Sequence, residues 1–293
     1  MRLNIVIVVL LSGIIFSCNP KNKETETSVQ SAIDTLQTTH LQIQGPAGNL
    51  TIEDGGTGGM PVIFLHSFGG SISHWKKQLQ YVRENRRAIA FDFRGHGTSD
   101  LPSDNDYTNE ALAKDLKAVV DSLELDRFIL VGHSMGGSAA VAYVGVEPER
   151  VAGMLLVGTP GKTQPEQSDP IIKSLESDQY QAVMDQYMTR LLTNAKPDVD
   201  SVVSRDFRHI SREASIALIK ALFSFNPLPS LQRYAGPKLL VATTAEEQQP
   251  HTLIKQLGNV PYKIVPGTSH WIQLDKPEEF NAILDEFIKN VEK

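Results

Sequence analysis

The sequence has 293 residues, of which 41% are hydrophobic and 21% are charged, with 21 glycines and 16 prolines. Such a chain is too apolar for a disordered protein and is long enough for one large α/β domain. A formal net charge of −6 without long basic runs argues against a general nucleic-acid binder, since phosphate neutralisation needs clustered Lys and Arg. One cysteine excludes an intramolecular disulfide and a cysteine-based zinc site, and the eight histidines lack metal-ligand spacing. We therefore expect no metal.

The N-terminus has the pattern of an export signal. Arg2 precedes an apolar run at 5–16, which is too short for a bilayer core that needs about 20 residues. The lone cysteine, Cys18, follows directly, and residues 15–18 resemble a bacterial lipobox, whose cysteine becomes the lipidated first residue. Residues 1–17 are predicted to be a lipoprotein signal peptide and residues 18–38 a flexible polar tether. We expect an exported protein of the bacterial envelope, held on a membrane by its lipid anchor.

From residue 39 onward, short apolar segments alternate with amphipathic ones. Strands are predicted at 41–43, 50–52, 61–66, 87–92, 128–131, 154–157, 239–241 and 262–265. Helices are predicted at about 72–84, 112–123, 138–146 and 280–291. Fully apolar strands between amphipathic helices predict one α/β domain over residues 39–293, with a mostly parallel sheet covered on both faces.

Residues 161–232 interrupt this alternation. They contain helical patterns at 180–192 and 214–225 but no clear strand, which predicts a helical cap inserted between two strands. Ligands of open α/β sheets bind at the carboxyl ends of the strands, so a cap there would wall the site. Five apolar residues of this segment are interpreted either as the lining of an acyl pocket or as cap core: Met188, Leu191, Leu192, Phe223 and Phe225.

The strongest chemical signal is the sequence Gly-His-Ser-Met-Gly-Gly at 132–137, between a buried strand and a helix. A serine in a sharp strand-to-helix turn flanked by small residues is typical of a nucleophile elbow. The segment resembles the Gly-x-Ser-x-Gly motif of the α/β-hydrolase family, and the resemblance covers about residues 40–293. It implies an α/β-hydrolase fold with an eight-stranded sheet and a helical cap after strand 6. It also implies that Ser134 is the nucleophile.

Two more segments carry this resemblance. Residues 91–99 resemble the family's characteristic turn after the fourth strand, to which we assign no catalysis. Residues 66–70 are similar to the family's His-Gly oxyanion loop, with Ser67 in place of the usual glycine. By the family's pattern, the backbone N–H groups of Phe68 and Met135 form the oxyanion hole.

The resemblance also implies the base of a catalytic triad. His270 follows the strand at 262–265 and precedes the last helix, where the family has its catalytic histidine. His133, His209 and His251 are weaker candidates. A residue beside the nucleophile generally points away from the site, and the last two are expected at the surface.

The acid of the triad is expected just after the strand that precedes the histidine. Glu246 takes this position, nine residues after Pro237, and Glu247 is the adjacent alternative. The sequence departs from the family here by having Glu for the usual Asp and Thr243 for the usual glycine. Glutamate is accepted in this role, and the order of nucleophile, acid and histidine matches the fold.

Together these residues predict a serine hydrolase that cleaves a carboxylic ester or related acyl bond of a small molecule through an acyl-enzyme. This chemistry needs no cofactor. A serine at the elbow disfavours haloalkane dehalogenases and epoxide hydrolases, which use aspartate there. The same triad leaves open a C–C bond hydrolase and a perhydrolase or acyltransferase. A non-catalytic, membrane-anchored binding module is the alternative outside catalysis.

Overall fold

A computed structural model describes residues 38–293 of the chain. The predicted signal peptide at 1–17, the lipidation site Cys18 and the predicted tether up to residue 37 lie outside the described residues. The first strand begins at Thr38, one residue before the predicted start of the domain. In the part of the chain that the structure describes, no helix combines the length and the apolar character needed to cross a membrane.

Eight strands form one sheet. They are β1 (Thr38–Gly45), β2 (Gly48–Gly55), β3 (Val62–Leu65), β4 (Ala88–Phe91), β5 (Phe128–His133), β6 (Val151–Val157), β7 (Lys238–Ala242) and β8 (Tyr262–Ile264). Their order in the sheet is β1-β2-β4-β3-β5-β6-β7-β8. β2 is antiparallel to β1 and β4, and all other neighbours are parallel. The predicted eight-stranded, mostly parallel sheet is thereby confirmed.

The helices of the sheet's two faces are α1 (Lys76–Arg83), α2 (Asn109–Ser122), α3 (Met135–Val144) and α12 (Pro277–Val291). Alternate residues of a strand point to opposite faces, and β3 shows which helices cover each face. Ile63 and Leu65 belong to the apolar cluster that includes α2 and α3, whereas Val62 and Phe64 belong to the cluster that includes α1 and α12. The predicted helix at 72–84 is divided into a 3₁₀ turn, Ile72–Trp75, and α1.

Five helices lie between β6 and β7, and we call them the cap. They are α4 (Pro165–Leu175), α5 (Tyr180–Leu191), α6 (Pro197–Phe207), α7 (Arg212–Ser224) and α8 (Leu228–Arg233). The helical patterns at 180–192 and 214–225 correspond to α5 and α7. Three short helices follow β7 and β8, namely α9 (Thr244–Glu247), α10 (Leu253–Leu257) and α11 (Ile272–Asp275). The loops at the carboxyl ends of β3, β5, β6, β7 and β8 therefore meet at one edge of the sheet, beside the cap.

Candidate active site

Ser134 lies in the sharp turn between β5 and α3. Its backbone has φ 52° and ψ −112°, a conformation that costs a non-glycine residue about 1–3 kcal/mol. The Ser134 N–H donates to the carbonyl of Val157 at 2.8 Å, and the Ser138 N–H donates to the carbonyl of Ser134 at 3.0 Å. The turn is thus tied to the neighbouring strand β6 and presents Ser134 at the N-terminus of α3.

The glycine after the elbow is required by the close approach of β3. A Cβ atom on Gly136 would lie 2.4 Å from the carbonyl oxygen of Leu65 and 2.6 Å from that of His66. Backbone atoms cannot yield as a flexible side chain can, so any larger residue would push α3 away from the sheet. The small residues of the motif therefore let the helix that follows Ser134 lie directly against the loop after β3.

The ends of β7 and β8 bring Glu246 and His270 together. Glu246 lies in α9, and His270 lies in the loop between β8 and α11. The Glu246 carboxylate accepts a hydrogen bond from Nδ1 of His270. With Nδ1 engaged in this way, Nε2 is the ring nitrogen left to exchange a proton. The alternative acid, Glu247, makes no side-chain hydrogen bond within residues 38–293.

Glu246 is oriented by a capping box at the start of α9. The Thr243 N–H donates to Oε2 of Glu246 at 2.8 Å, and the Glu246 N–H donates to Oγ1 of Thr243 at 3.1 Å. Burial alone would raise the pKa of Glu246. The charge of His270 and the hydrogen bonds from His270 and Thr243 outweigh burial, so the pKa lies below its ordinary value. Thr243, where the resemblance leads one to expect glycine, therefore helps to keep this carboxylate charged.

Gly158, directly after β6, leaves the space that the Glu246–His270 pair occupies. A Cβ atom at this position would lie 2.7 Å from Cε1 of His270 and 3.0 Å from Oε1 of Glu246. Its φ of 53° also disfavours any other residue. No pattern in the sequence indicates this role, because the glycine is far along the chain from both of the side chains for which it makes room.

The loop after β3 is built around the carbonyl of Ser67. This carbonyl accepts hydrogen bonds from the Gly70 N–H at 2.9 Å and from Nδ1 of His66 at 2.8 Å. Nε2 of His66 in turn accepts the Phe93 N–H at 3.0 Å, which assigns the ring proton to Nδ1. Burial lowers the pKa of His66 to about 3, so the ring is neutral. The neutral ring therefore fixes the peptide that joins Ser67 to Phe68.

This fixed peptide also aims the N–H of Phe68. The C=O and N–H of a planar trans peptide point in opposite directions, so holding the Ser67 carbonyl directs the Phe68 N–H away from it. Among residues 38–293, neither the Phe68 N–H nor the Met135 N–H has a protein acceptor. Met135 is the first residue of α3, where unpaired N–H groups carry the positive end of the helix dipole. Both donors are available to an anion.

A cavity of about 240 Å³ is lined by Ser134, Glu246 and His270 together. The cap supplies much of its apolar wall, from Tyr187 and Leu191 of α5 and from Leu222 and Phe223 of α7. The structure therefore brings the three side chains predicted for the triad to the wall of one pocket beneath the cap. A larger cleft of about 750 Å³, between β7, β8 and α12, contains none of the three.

The structure shows which of the five apolar cap residues line the cavity and which belong to the core. Leu191 and Phe223 line the cavity, whereas Met188 and Leu192 pack with Trp271, and Phe225 packs against the main core. His209 is exposed, as expected. The expectation of a surface position is wrong for His251, which is half-buried and lines the cavity. The reason is that the segment before α10 folds back against the loop after β6, where Pro160 forms a bridge with Thr252.

A comparison with protein families decides the relationship of this chain. The sequence profile described as the alpha/beta hydrolase fold matches residues 60–277, which is well over half of the chain. The chain belongs to the alpha/beta hydrolase family. The matched span includes the loop after β3, the elbow and the loop that carries His270.

Individual relatives within this family act on different substrates. The 3-oxoadipate enol-lactonase 2 of Acinetobacter baylyi is 26% identical over 239 residues, which are 78% of this chain and 88% of the relative. The dihydrolipoyllysine-residue acetyltransferase component of the acetoin cleaving system of Pseudomonas putida is 36% identical over 129 residues, 41% of this chain, and the match spans only 35% of that relative. Among solved structures, Est816, described as an N-acyl homoserine lactone degrading enzyme, is 25% identical with a TM-score of 0.75, covering 84% of this chain and 100% of its own.

His133 has a part in this alpha/beta hydrolase site that sequence reasoning missed. Its Nε2 donates to the carbonyl of His270 at 3.0 Å, and its Nδ1 accepts from the side-chain amide of Gln273 at 3.1 Å. Burial lowers the pKa of His133 well below its ordinary value, so the ring is neutral and both nitrogens are matched. His133 thus points away from the cavity, as expected, yet it supports the backbone of the predicted base from behind.

Proposed function

We propose that this chain is a serine hydrolase that cleaves a carboxylic ester or related acyl bond, with Ser134, Glu246 and His270 as its triad. The observation that carries the proposal is the hydrogen bond from Nδ1 of His270 to the Glu246 carboxylate, beside an elbow serine on the wall of the same cavity. A serine hydroxyl is a weak nucleophile that needs an adjacent base, and the base needs a third group that orients it. These three side chains supply all three parts.

The first half of the proposed reaction forms an acyl-enzyme. Nε2 of His270 takes the hydroxyl proton as Oγ of Ser134 bonds to the carbonyl carbon, and the carbonyl electron pair moves to its oxygen. The backbone N–H groups of Phe68 and Met135 bind this oxyanion, and losing one such donor typically costs about 3–4 kcal/mol of barrier. The tetrahedral intermediate then expels the alcohol oxygen, which receives the proton from His270.

The second half releases the acid. His270 takes a proton from a water molecule, whose oxygen attacks the acyl carbon, and the bond to Oγ of Ser134 then breaks as His270 returns the proton to it. Glu246 stays ionised throughout and stabilises the imidazolium that forms twice in each cycle. Its lowered pKa suits this role, because a charged partner favours a charged histidine.

The size of the cavity favours a small acyl group. Its volume of about 240 Å³ is below the range of roughly 300–1,000 Å³ that is common for drug-sized ligands. A lactone is a cyclic ester, and lactones figure in the descriptions of two similar proteins, the enol-lactonase of Acinetobacter baylyi and the N-acyl homoserine lactone degrading enzyme Est816. Short esters and small lactones are therefore the substrate class that we propose.

This size argument predicts a preference by chain length. We expect kcat/KM for p-nitrophenyl acetate and butyrate to exceed that for the laurate by about tenfold or more, because a long acyl chain exceeds the cavity. Phe223→Ala should shift the preference toward longer chains by removing part of the apolar wall. A profile that peaks at laurate in the wild-type protein would contradict the proposed substrate size.

The proposed mechanism is tested by labelling with a fluorophosphonate, read by intact mass. In this reaction Oγ of Ser134 displaces fluoride from phosphorus while His270 accepts the hydroxyl proton, so one phosphonyl group adds to the protein. The probe needs the nucleophile, base and oxyanion donors together but no knowledge of the substrate. We expect one adduct on the wild-type protein and none on Ser134→Ala. A wild-type protein that takes no label would refute the proposed function and favour a binding module.

The anchor at Cys18 is a separate proposal, supported by the lipobox-like sequence alone. We propose that the mature chain begins at Cys18, carries lipid there and works at the surface of a membrane of the bacterial envelope. Two or more acyl chains would hold it firmly, since one alone gives only marginal membrane binding.

A further inference from the structure

The cap helix α6 contacts both of the loops that carry the proposed catalytic groups. We call residues 269–271 the histidine loop and residues 66–70 the oxyanion loop. The N-terminal end of α6 is bonded to the first, and its C-terminal end packs on the second. A helix of 11 residues is about 16 Å long, so one rigid element spans the distance between the two loops.

Asp275 joins the histidine loop to the start of α6. This carboxylate is only 1% exposed. Its Oδ2 accepts both the N–H of Ser269, at 2.8 Å, and the hydroxyl of Ser269, at 2.6 Å. Its Oδ1 accepts the backbone N–H of Lys196, which caps α6, at 2.9 Å. One buried side chain thus holds the residue before His270 and the first turn of α6 at the same time.

The rest of the histidine loop is held by the same part of the cap. The N–H of His270 donates to the carbonyl of Leu191, the last residue of α5, at 3.0 Å. The ring of Trp271 is 1% exposed and packs against Val199 and Val203, the two buried residues of α6. The position of His270 therefore depends on the cap through polar and apolar contacts together.

The other end of α6 meets the oxyanion loop. His74 lies in the 3₁₀ turn that follows the loop, and a Cβ atom on Gly70 would lie 2.9 Å from its Nδ1. Nε2 of His74, which is 1% exposed, is hydrogen-bonded to Oδ2 of Asp206 at 3.1 Å. The ring of Phe207 lies edge-on to that of Phe68, with centroids 4.7 Å apart. A Cβ atom on Gly69 would lie 2.4 Å from the Phe207 ring, so the loop and the helix end are in full contact. Phe68 is the residue whose N–H is proposed to bind the oxyanion.

We propose that α6 is a strut that fixes the histidine loop relative to the oxyanion loop, with Asp275, Asp206 and His74 as positioning residues at its two ends. The proposal rests on the serine hydrolase function proposed above. In this arrangement the cap is part of the catalytic framework as well as the wall of the substrate cavity. Displacing a catalytic group by about 1 Å can cost about 100-fold in rate, so loosening either end should slow the reaction itself.

The sharpest test breaks the contact between Lys196 and Asp275. Lys196 has φ −65°, the value that proline fixes, so Lys196→Pro needs no new φ. It deletes the N–H that binds Oδ1 of Asp275 and puts the ring carbon Cδ in its place, which displaces the carboxylate. Lys196→Ala is the matched control, because it removes the exposed side chain and keeps the N–H. We expect Lys196→Pro to lower kcat for p-nitrophenyl butyrate about 10–100-fold relative to Lys196→Ala, with kcat/KM falling equally. A difference below about twofold, or one confined to KM, would overturn the strut.

The opposite end is tested on the same helix. Asp206→Ala removes the partner of His74. Asp200→Ala is the matched control, because it removes an exposed carboxylate of the same helix that bonds only Ser204 within residues 38–293. If α6 acts as one strut, kcat of the double variant Lys196→Pro/Asp206→Ala should be at most about threefold lower than kcat of the slower single variant. Two independent anchors would instead give multiplied losses, as distant uncoupled sites usually do, and that result would also overturn the proposal.

A readout without catalysis separates this inference from the proposed function. Amide hydrogen exchange of the Ser269 N–H should be faster in Lys196→Pro than in Lys196→Ala, even in a Ser134→Ala background. Unchanged exchange would overturn the strut, whereas a wild-type protein that takes no fluorophosphonate would overturn the serine mechanism alone. Should Lys196→Pro fail to fold, Asp275→Asn tests the strut by the same exchange and kinetic measurements. The asparagine amide has one acceptor oxygen, so it can accept either from Lys196 or from Ser269 but not from both.

Discussion

Replacing Ser134 with alanine should lower kcat for p-nitrophenyl butyrate about 10⁴–10⁶-fold, because the members of a triad act as a unit and the variant lacks the proposed nucleophile. The proposed oxyanion donors and the cavity remain, so a small residual rate above that of water is expected. The fold should be retained, since alanine adopts the positive φ of this position at a cost similar to that of serine. Steady-state kinetics with purified protein, together with a thermal melt, measure both effects.

Two further variants make this test specific. Ser138→Ala removes a buried hydroxyl one turn further along α3 and should leave kcat within about twofold of the wild-type value, as a change outside the reacting groups should. Ser134→Gly should be as inactive as the alanine variant but more stable by about 1 kcal/mol, because glycine has no penalty at φ 52°. Near wild-type turnover in Ser134→Ala would refute the assignment of the nucleophile.

Replacing Glu246 with glutamine should lower kcat about 10⁴-fold, as the corresponding Asp→Asn change does in serine proteases with a Ser-His-Asp triad. The amide can offer its NH₂ group to Nδ1 of His270, which favours the wrong tautomer and leaves the imidazolium without a counter-charge. Glu247→Gln is the matched control, since it makes the same chemical change one residue away. We expect Glu247→Gln to retain wild-type kcat, and equal losses in the two variants would contradict the choice of Glu246.

The stability of the Glu246 variant gives an independent measure of the same contact. In the wild-type protein the folded-state pKa of Glu246 is lowered, so its ionised form stabilises the fold above its ordinary pKa. That contribution is lost as the pH falls through the folded-state pKa. The free energy of unfolding of Glu246→Gln should therefore depend less steeply on pH in the acid range than that of the wild-type protein, as measured by urea denaturation.

The fold was predictable because its signals are local. Four-residue strands such as Val62–Leu65 are apolar throughout, and the glycines around Ser134 mark a turn by their composition alone. Helix α6 was not predicted, because only Val199 and Val203 are buried on it and two such residues give a weak helical pattern. Helix α4 escaped prediction for a different reason, since Pro170 stands inside it and proline usually indicates a helix end.

For the candidate site too, some residues could be predicted from the sequence and others could not. Candidates for the triad could be chosen from motif and chain order, since each follows a recognisable strand. Gly158, Thr243 and Asp275 could not, because their importance lies in contacts with residues that are distant in the chain or in backbone geometry that appears only after folding. Asp275, for example, connects Ser269 with Lys196, and Lys196 lies 79 positions before Asp275 in the chain. Pairings of this kind leave no periodic trace in a single sequence.

The neutral rings of His66 and His133 have a consequence for acid tolerance. Each ring donates through one nitrogen and accepts through the other, so a second proton would remove an acceptor and place two donors face to face. The unfolded chain has no such restriction and takes up protons on these residues below about pH 6.5. As the pH falls below that value, the uptake of a proton by each unfolded-state ring therefore lowers the free energy of unfolding by up to about 1.4 kcal/mol per pH unit. The imidazoles that hold the oxyanion loop and the histidine loop in place thus also set a lower pH limit for the folded enzyme.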